Sequence, residues 1–157
     1  IPMSDEIKKN WTLKVNGLDR HVKPGDSVRD KCELTSVSHG IYADQPMAGQ
    51  PRRTQIYDLS VARETDAATP IFMRLCQTGE VLSQVIVELV AEKDGKEVYR
   101  LTYELLNARI SRVNTGGSAH GPDFRPYDDM AFTFEKMRMR VTEGEQLGSA
   151  ELKPNSP

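Results

Sequence analysis

The chain has 157 residues, of which 38% are hydrophobic and 28% are charged, a length and composition that fit one domain with its own core. Its 21 basic and 23 acidic residues leave a net charge of −2, too balanced to favour nucleic acid or an anionic membrane surface. The apolar runs are far shorter than a membrane span, and no signal peptide opens the chain. We therefore expect a soluble domain made in a reducing cytosol, or one exported without a cleaved signal.

Three strands and a long loop are predicted before residue 64. Residues 11–16 alternate between apolar and polar side chains and predict a half-buried strand that ends at a turn. Residues 32–38 predict a weaker strand. Residues 39–54 contain glycine and proline breaks, two glutamines and two adjacent arginines, which predicts a long polar loop of the kind that often carries function. Alternation resumes over residues 55–63 as a third strand.

One helix is predicted after the third strand. Thr69 is suited to cap it, Pro70 fits its first turn and Gly79 can end it. The apolar residues between them recur at helical spacing and predict a stripe that packs on the core. The members of this stripe are Ile71, Phe72, Leu75 and Cys76.

Strand patterns dominate the rest of the chain. Asp94-Gly95 between two alternating runs predicts a two-residue hairpin turn. The return strand changes phase at Leu105-Leu106, which predicts a bulge or bend, although a helix over residues 98–108 also fits the spacing. A glycine- and proline-rich loop over residues 114–127 leads to a last strand over residues 130–141, which changes phase as well.

These elements add up to seven or eight strands and one helix. Strands that bend and switch faces are typical of a sheet that curls on itself. We therefore predict a mostly β fold, a small closed β-barrel with one flanking α-helix. It forms a single domain over residues 3–142, followed by a flexible C-terminal tail over residues 143–157.

No motif predicts an enzyme, because the nucleophile elbow, zinc-protease, phosphate-loop and dinucleotide signatures are all missing from the sequence. Polar groups that could act alone are interpreted as structural: His39 and His120 as ordinary histidines, Asp128-Asp129 as solvated residues that start a strand. Cys32 and Cys76 form no metal-binding pair and are predicted to be unpaired, inert thiols. We expect no catalytic residue, metal or cofactor.

Three cations share one face of the last strand and could meet phosphate. They are Lys136, Arg138 and Arg140. No aromatic residue shares that face to stack a base, as single-strand binders normally provide. The preferred interpretation is a stripe that faces water or another subunit, and a nucleic-acid or ligand-binding module is the alternative.

Several segments, in this order, resemble the Hcp family, the tube proteins of bacterial type VI secretion. The opening strand WTLKVNGLDR is similar to the family's first strand, and CELTSVSHGI to its second. The passage from Asp58 through Arg63 and Asp66 to Pro70 resembles the family's strand-to-helix motif. The most specific match is the loop SRVNTGGS with Arg-Pro downstream, and its family-motif residues are Gly116, Gly117, Ser118, Arg125 and Pro126.

This resemblance implies a β-barrel that assembles as a homohexameric ring, without nucleic acid or membrane insertion. Such rings stack into a tube that a contractile sheath expels behind a spike protein, with small effector proteins in the lumen. It also implies synthesis in the bacterial cytoplasm and secretion without a cleaved signal peptide. The long loop over residues 42–53 is the expected ring-stacking element, with the candidate residues Tyr42, Asp44, Gln45, Gln50, Arg52 and Arg53.

Overall fold

A computed structural model describes residues 6–154 of the chain. Within them lie ten strands, one α-helix and a 3-10 turn at Leu18–His21. The helix α1 spans Thr69–Thr78. The strands are β1 Lys8–Val15, β2 Lys31–Leu34, β3 Ser36–Ser38, β4 Ile41–Ala43, β5 Thr54–Ile56, β6 Leu59–Glu64, β7 Leu82–Lys93, β8 Lys96–Gly116, β9 Tyr127–Glu143 and β10 Gln146–Leu152.

One antiparallel sheet contains eight of these strands. Its order is β2-β1-β7-β8-β9-β6-β3, and β10 adds to β9 on the edge that β6 leaves open. β4 and β5 pair only with each other and form a separate hairpin. Long strands β7, β8 and β9 therefore make the body of the protein, because every other element of the sheet attaches to one of them directly or through β1 or β6.

The sheet curls until its two ends meet in one stretch of chain. β2 and β3 lie at opposite ends of the strand order, yet only Thr35 separates them in sequence. The backbone N–H of Thr35 donates to the carbonyl of Ala62 at 2.8 Å, which joins this stretch to β6. The predicted mostly β fold with one helix is confirmed. The sheet is a strongly curled half-barrel held together by the segment that joins β2 to β3, and β2 has no ladder with β3 that would close a full barrel.

The helix covers the inner face of the curl. Phe72 and Leu75 are fully buried with the strand residues Leu13, Leu105 and Phe132. Gly79 ends the helix in the left-handed region, at φ 67°, as predicted. The prediction that Thr69 caps the helix is wrong, since Ala68 occupies the N-cap and the Thr69 hydroxyl is used by a buried polar network described below.

Both predicted irregularities of the long strands occur. Asp94 and Gly95 have φ of 54° and 76°, the left-handed pair that a tight hairpin needs. On β8 the alternation of buried side chains changes phase between Leu105 and Ala108, which are both buried. Asn107 lies between them and also has a positive φ, of 50°. The facing strand β9 switches between Phe134 and Met137. The alternative helix over residues 98–108 is therefore wrong, because the segment is strand with a kink at Asn107.

Two predictions about connecting segments are corrected by the structure. The predicted loop over residues 39–54 is irregular over residues 39–40 and 44–53, but residues 41–43 form β4 and residue 54 begins β5. Residues 146–152, assigned to a flexible tail, form β10 and pair with residues 137–143 of β9. Leu152 packs on the core, and Glu151 binds Lys136 and Arg138. Short polar strands such as β10 lack the apolar alternation on which the sequence prediction depended.

We expect the two leucines of β10 to differ in their effect on stability. Leu152 packs against the core, whereas Leu147 is 64% exposed in the same strand. Leu152→Ala should lower the free energy of unfolding by about 1–2 kcal/mol, and Leu147→Ala by less than about 0.5 kcal/mol. Urea denaturation measures both; equal effects would show that β10 does not dock as described.

Candidate assembly surfaces

The candidate ring-stacking residues lie on the β4–β5 hairpin. Its tip, residues 44–53, is called the hairpin loop here, and every residue in it is exposed. The Asp44 N–H donates to the Arg53 carbonyl at 2.9 Å, and the Gln50 N–H donates to the Met47 carbonyl at 3.0 Å. Backbone hydrogen bonds within the loop therefore define its conformation. Five of the six candidate residues surround one shallow hollow: Tyr42, Asp44, Gln45, Gln50 and Arg53; Arg52 lies outside it.

The hairpin projects from the body of the protein. No other strand or helix packs extensively against β4 or β5. Three large apolar side chains are nevertheless exposed on it: Ile41 at 53%, Tyr42 at 54% and Met47 at 77%. These side chains make the hairpin the apolar part of an otherwise polar exposed segment.

The family-motif loop, residues 116–126, lies elsewhere. Gly116 ends β8, and the Ser118 hydroxyl accepts the His120 N–H at 3.1 Å. A Cβ on Gly117 would lie 3.2 Å from the Pro126 backbone, so a larger residue would crowd the returning chain. The Pro126 carbonyl in turn accepts the Thr65 N–H at 2.9 Å. The glycine pair and Pro126 therefore pack the loop on the end of β6.

The two candidate groups occupy opposite ends of the β3–β6 pair. The hairpin leaves the sheet beside Leu59, the first residue of β6. The family-motif loop contacts the last residue of β6, where Arg125 Nη1 lies 3.4 Å from Glu64 Oε2. At about 3.3 Å per residue, the length of β6 separates them by about 17 Å. The structure therefore does not bring them into one site.

A buried polar network, which the sequence prediction missed, joins β6, β9 and the start of α1. Arg63 and Asp128 face each other across the β6–β9 ladder and have side chains 1% and 0% exposed. Arg63 Nη1 lies 2.7 Å from Asp128 Oδ2, and Arg63 Nη2 lies 2.5 Å from Asp66 Oδ1. The hydroxyls of Thr65 and Thr69 each donate to Asp128 at 2.6 Å. Asp128 is thus not the solvated residue that the sequence predicted.

The chemistry of this network is structural. Burial by itself lowers the pKa of Arg63, but hydrogen bonding and charge from Asp66, with Asp128 and Cys32, raise it overall, so the guanidinium stays charged. Its face also lies over the Phe72 ring, 5.2 Å from the centroid. Three residues of the buried network, Arg63, Asp66 and Thr69, lie in the segment from Asp58 to Pro70. The sequence resemblance had already included that segment as a family motif. What the sequence could not show is that Asp128 meets them.

The three cations of β9 differ in their environment. Lys136 lies 3.3 Å from Glu151, and Arg138 lies 3.1 Å from Glu104 and 3.3 Å from Glu151. Arg140 has no ion pair with the residues described here. Because carboxylates from both neighbouring strands partner two of the three cations, the stripe is poorly suited to bind phosphate, which weakens the nucleic-acid alternative.

His39 lies at the base of the hairpin. Its ring packs 6.0 Å from the rings of Tyr103 and Phe134, and its Nε2 is buried without a partner within residues 6–154. Burial lowers the pKa of His39, although a hydrogen bond to the Tyr57 backbone and the Asp58 carboxylate oppose the shift. His120 is exposed in the family-motif loop. Neither histidine has the nucleophile and orienting partner that catalysis would need.

Cys32 and Cys76 are unpaired, as predicted. Burial raises the pKa of the Cys32 thiol, although the Arg63 guanidinium opposes part of that rise. A thiol with a raised pKa is a weak nucleophile at neutral pH. Among residues 6–154, no group of three histidine, cysteine or acidic side chains is placed to hold a metal ion. No helix in the same range is long and apolar enough to span a membrane.

A family model described as "Type VI secretion system effector, Hcp" matches residues 13–141. The chain belongs to the Hcp family. The match runs from Leu13 in β1 to Val141 near the end of β9 and leaves out β10. It confirms the resemblance drawn from the sequence motifs. A comparison with curated proteins yields no match.

Solved structures of Hcp proteins share this fold. Hcp1 of Salmonella typhimurium is 20% identical over 92% of this chain and 94% of its own, with a TM-score of 0.69. A type VI secretion system effector of Yersinia pestis is 21% identical over 91% and 98%, with a TM-score of 0.65. A structure described as an Hcp protein has a TM-score of 0.70 at 13% identity, covering 97% and 100%. The Hcp fold is thus kept at low identity.

We expect the buried network to be essential to the stability of this Hcp-family protein. Asp128→Ala leaves the Arg63 charge buried beside a single, half-exposed carboxylate, and should lower the free energy of unfolding by about 3–5 kcal/mol. The matched control is Asp129→Ala, which removes a pair with Arg112 that is 45% exposed on each side and should cost less than about 1 kcal/mol. Chemical denaturation of both variants tests this; similar losses would contradict the assigned role of Asp128.

We expect His39 to make stability depend on pH. Because the pKa of folded His39 lies below its ordinary 6.5, the unfolded chain takes up a proton first as pH falls. The free energy of unfolding should therefore be unaffected above about pH 7.5 and decrease as pH falls through 6.5 towards the folded pKa. His39→Gln should reduce this decrease between pH 7.5 and 5. An unchanged slope in His39→Gln would contradict the prediction.

Proposed function

We propose that the protein is a structural subunit of the type VI inner tube. In this proposal six copies form a ring, and the rings stack into a tube. The sheath drives the tube out behind the spike, with small effectors in its lumen. The observation that carries the proposal is the family match over residues 13–141, which includes the projecting hairpin. The protein would be made in the bacterial cytoplasm and leave it through this machine, without a cleaved signal peptide.

The hairpin supports a role in stacking. Ile56 is the residue of the hairpin that packs on the core, whereas its apolar side chains Ile41, Tyr42 and Met47 are exposed. Asp44, Arg52 and Arg53 have no ion pair with any residue between 6 and 154, and arginine forks suit carboxylates on a second copy. The hairpin has backbone hydrogen bonds of its own but few contacts with the other strands. Such an element is suited to bind a neighbouring ring.

A non-catalytic role fits the way the polar groups are used. The buried charges Arg63 and Asp128 neutralise each other between two strands and a helix. The buried thiol of Cys32 is a poor nucleophile, and the family-motif glycines pack a loop on β6. These groups stabilise the folded protein. We therefore assign the proposed function to its exposed surfaces.

The proposal is tested by comparing wild type with a variant in which a short Gly-Ser turn replaces residues 44–51. Wild type should have the mass of six chains by light scattering, form tubes visible by electron microscopy and be exported. The variant should keep its thermal midpoint and ring mass, because the hairpin loop buries no core, but lose tubes and export. Met73→Ser, which removes an apolar helix side chain 46% exposed, is the control and should behave as wild type.

Three outcomes would contradict the proposal in different ways. A monodisperse wild-type monomer at micromolar concentration would exclude the ring. A loop variant that still forms tubes and is exported would exclude the hairpin loop as the stacking element. A variant whose ring dissociates would place the loop in the lateral contact between subunits of one ring.

A further inference from the structure

A cleft lies at the seam where the two ends of the curled sheet approach each other. We call it the seam cleft; it has a volume of about 310 Å³, roughly that of ten waters. β2 and the loop before it contribute Arg29, Lys31 and Glu33. The end of β6 and its flanking loops contribute Arg63, Asp66 and Arg125. The sheet is open here because the β3–β6 ladder ends at Ala62 and β2 pairs only with β1.

The side chains of the seam cleft fall into two groups. Arg63 is committed to Asp128 and Asp66, and Arg125 is paired with Glu64. Arg29, Lys31 and Glu33 have no ion pair within the described range. In the floor, Arg63 Nε is buried with no hydrogen-bond partner among residues 6–154. The uncommitted charges of Arg29, Lys31 and Glu33 are therefore the groups of the cleft that another molecule can pair with.

The hairpin loop of a second copy has the complementary groups. It offers one carboxylate, Asp44, and two guanidinium groups, Arg52 and Arg53. The cleft offers two cations, Arg29 and Lys31, and one carboxylate, Glu33. Each carboxylate therefore meets two cations of the other copy. Met47, 77% exposed at the tip, supplies a flexible apolar side chain for the Cys32–Leu34 wall of the cleft.

The positions of the two surfaces suit a head-to-tail contact. The hairpin leaves the first residue of β6 and the seam cleft lies at the last, about 17 Å along the same strand. The loop and the cleft of one copy thus lie at different ends of the same strand. Two different surfaces at opposite ends of one copy generate an open stack when the contact repeats.

We propose that the seam cleft is the receptor for the hairpin loop of a second copy in the adjacent ring. The Asp44 carboxylate binds the Arg29 and Lys31 side of the cleft, and Arg52 and Arg53 bind Glu33. This inference rests on the proposed stacking of rings and adds the surface that receives the loop. It also gives the end of β6 a role in assembly that the fold alone does not require.

Disulfide trapping tests the contact directly. In a background with Cys32→Ala and Cys76→Ala, the substitutions Met47→Cys and Glu33→Cys are combined in one chain, which is assembled and oxidised. A disulfide needs Cα atoms within about 7 Å, so the expected result is a ladder of covalent dimers, trimers and longer chains on a denaturing gel. Met47→Cys paired with Glu92→Cys, an exposed position on β7, is the matched control and should give no ladder.

Charge reversal gives a second measurement on the same contact. Glu33→Arg should reduce tube formation at least tenfold while leaving ring mass unchanged, and adding Arg52→Glu with Arg53→Glu should restore it. If tubes form but the cysteine pair gives no ladder, and reversal has no effect, the seam cleft is not the receptor and the stacking proposal still stands. If wild-type rings never stack under any condition, the proposed stacking fails and this inference fails with it.

Discussion

The Arg63–Asp128 pair is the interaction on which the arrangement of the other elements depends. It links the last residues of β6 to the start of β9, and its remaining hydrogen bonds hold the first turn of α1. Two charges taken out of water are tolerated only because both are almost fully hydrogen-bonded. The pair therefore fixes where the helix begins and how β6 lies against β9, and the hairpin and the seam cleft lie at the two ends of β6.

The exposed hairpin and the seam cleft both adjoin β6. The strand itself is largely buried, with Leu59 0% and Arg63 1% exposed, and it is covered on both edges, by β3 and β9. The hairpin precedes its first residue, and the seam cleft opens beside its last residues. A polar pair in the interior thus holds the strand that joins these two exposed features.

Sequence reasoning predicted the local features well. Asp94-Gly95, the phase changes at Leu105 and Phe134, and the helix end at Gly79 each depend on residues adjacent in sequence. It failed where the deciding contact is distant. Asp128 looks like any acidic residue before a strand until Arg63, 65 positions earlier, is placed opposite it. Glu151 of the polar strand β10 forms ion pairs with Lys136 and Arg138 of β9. The alternation of apolar side chains along the sequence gives no sign of such pairs.

The connection through Thr35 also bears on the order of events in folding. The β7–β8 hairpin needs only a two-residue turn, so it can form early, whereas Trp11 must find Leu89 and β6 must find β9 across long stretches of chain. Sheets dominated by such distant pairings fold slowly, in about milliseconds to seconds. Because β2 and β3 flank Thr35, that stretch can dock only when both ends of the sheet are already in place. Until then two strand edges stay unpaired, and unpaired edges are where separate chains can pair prematurely.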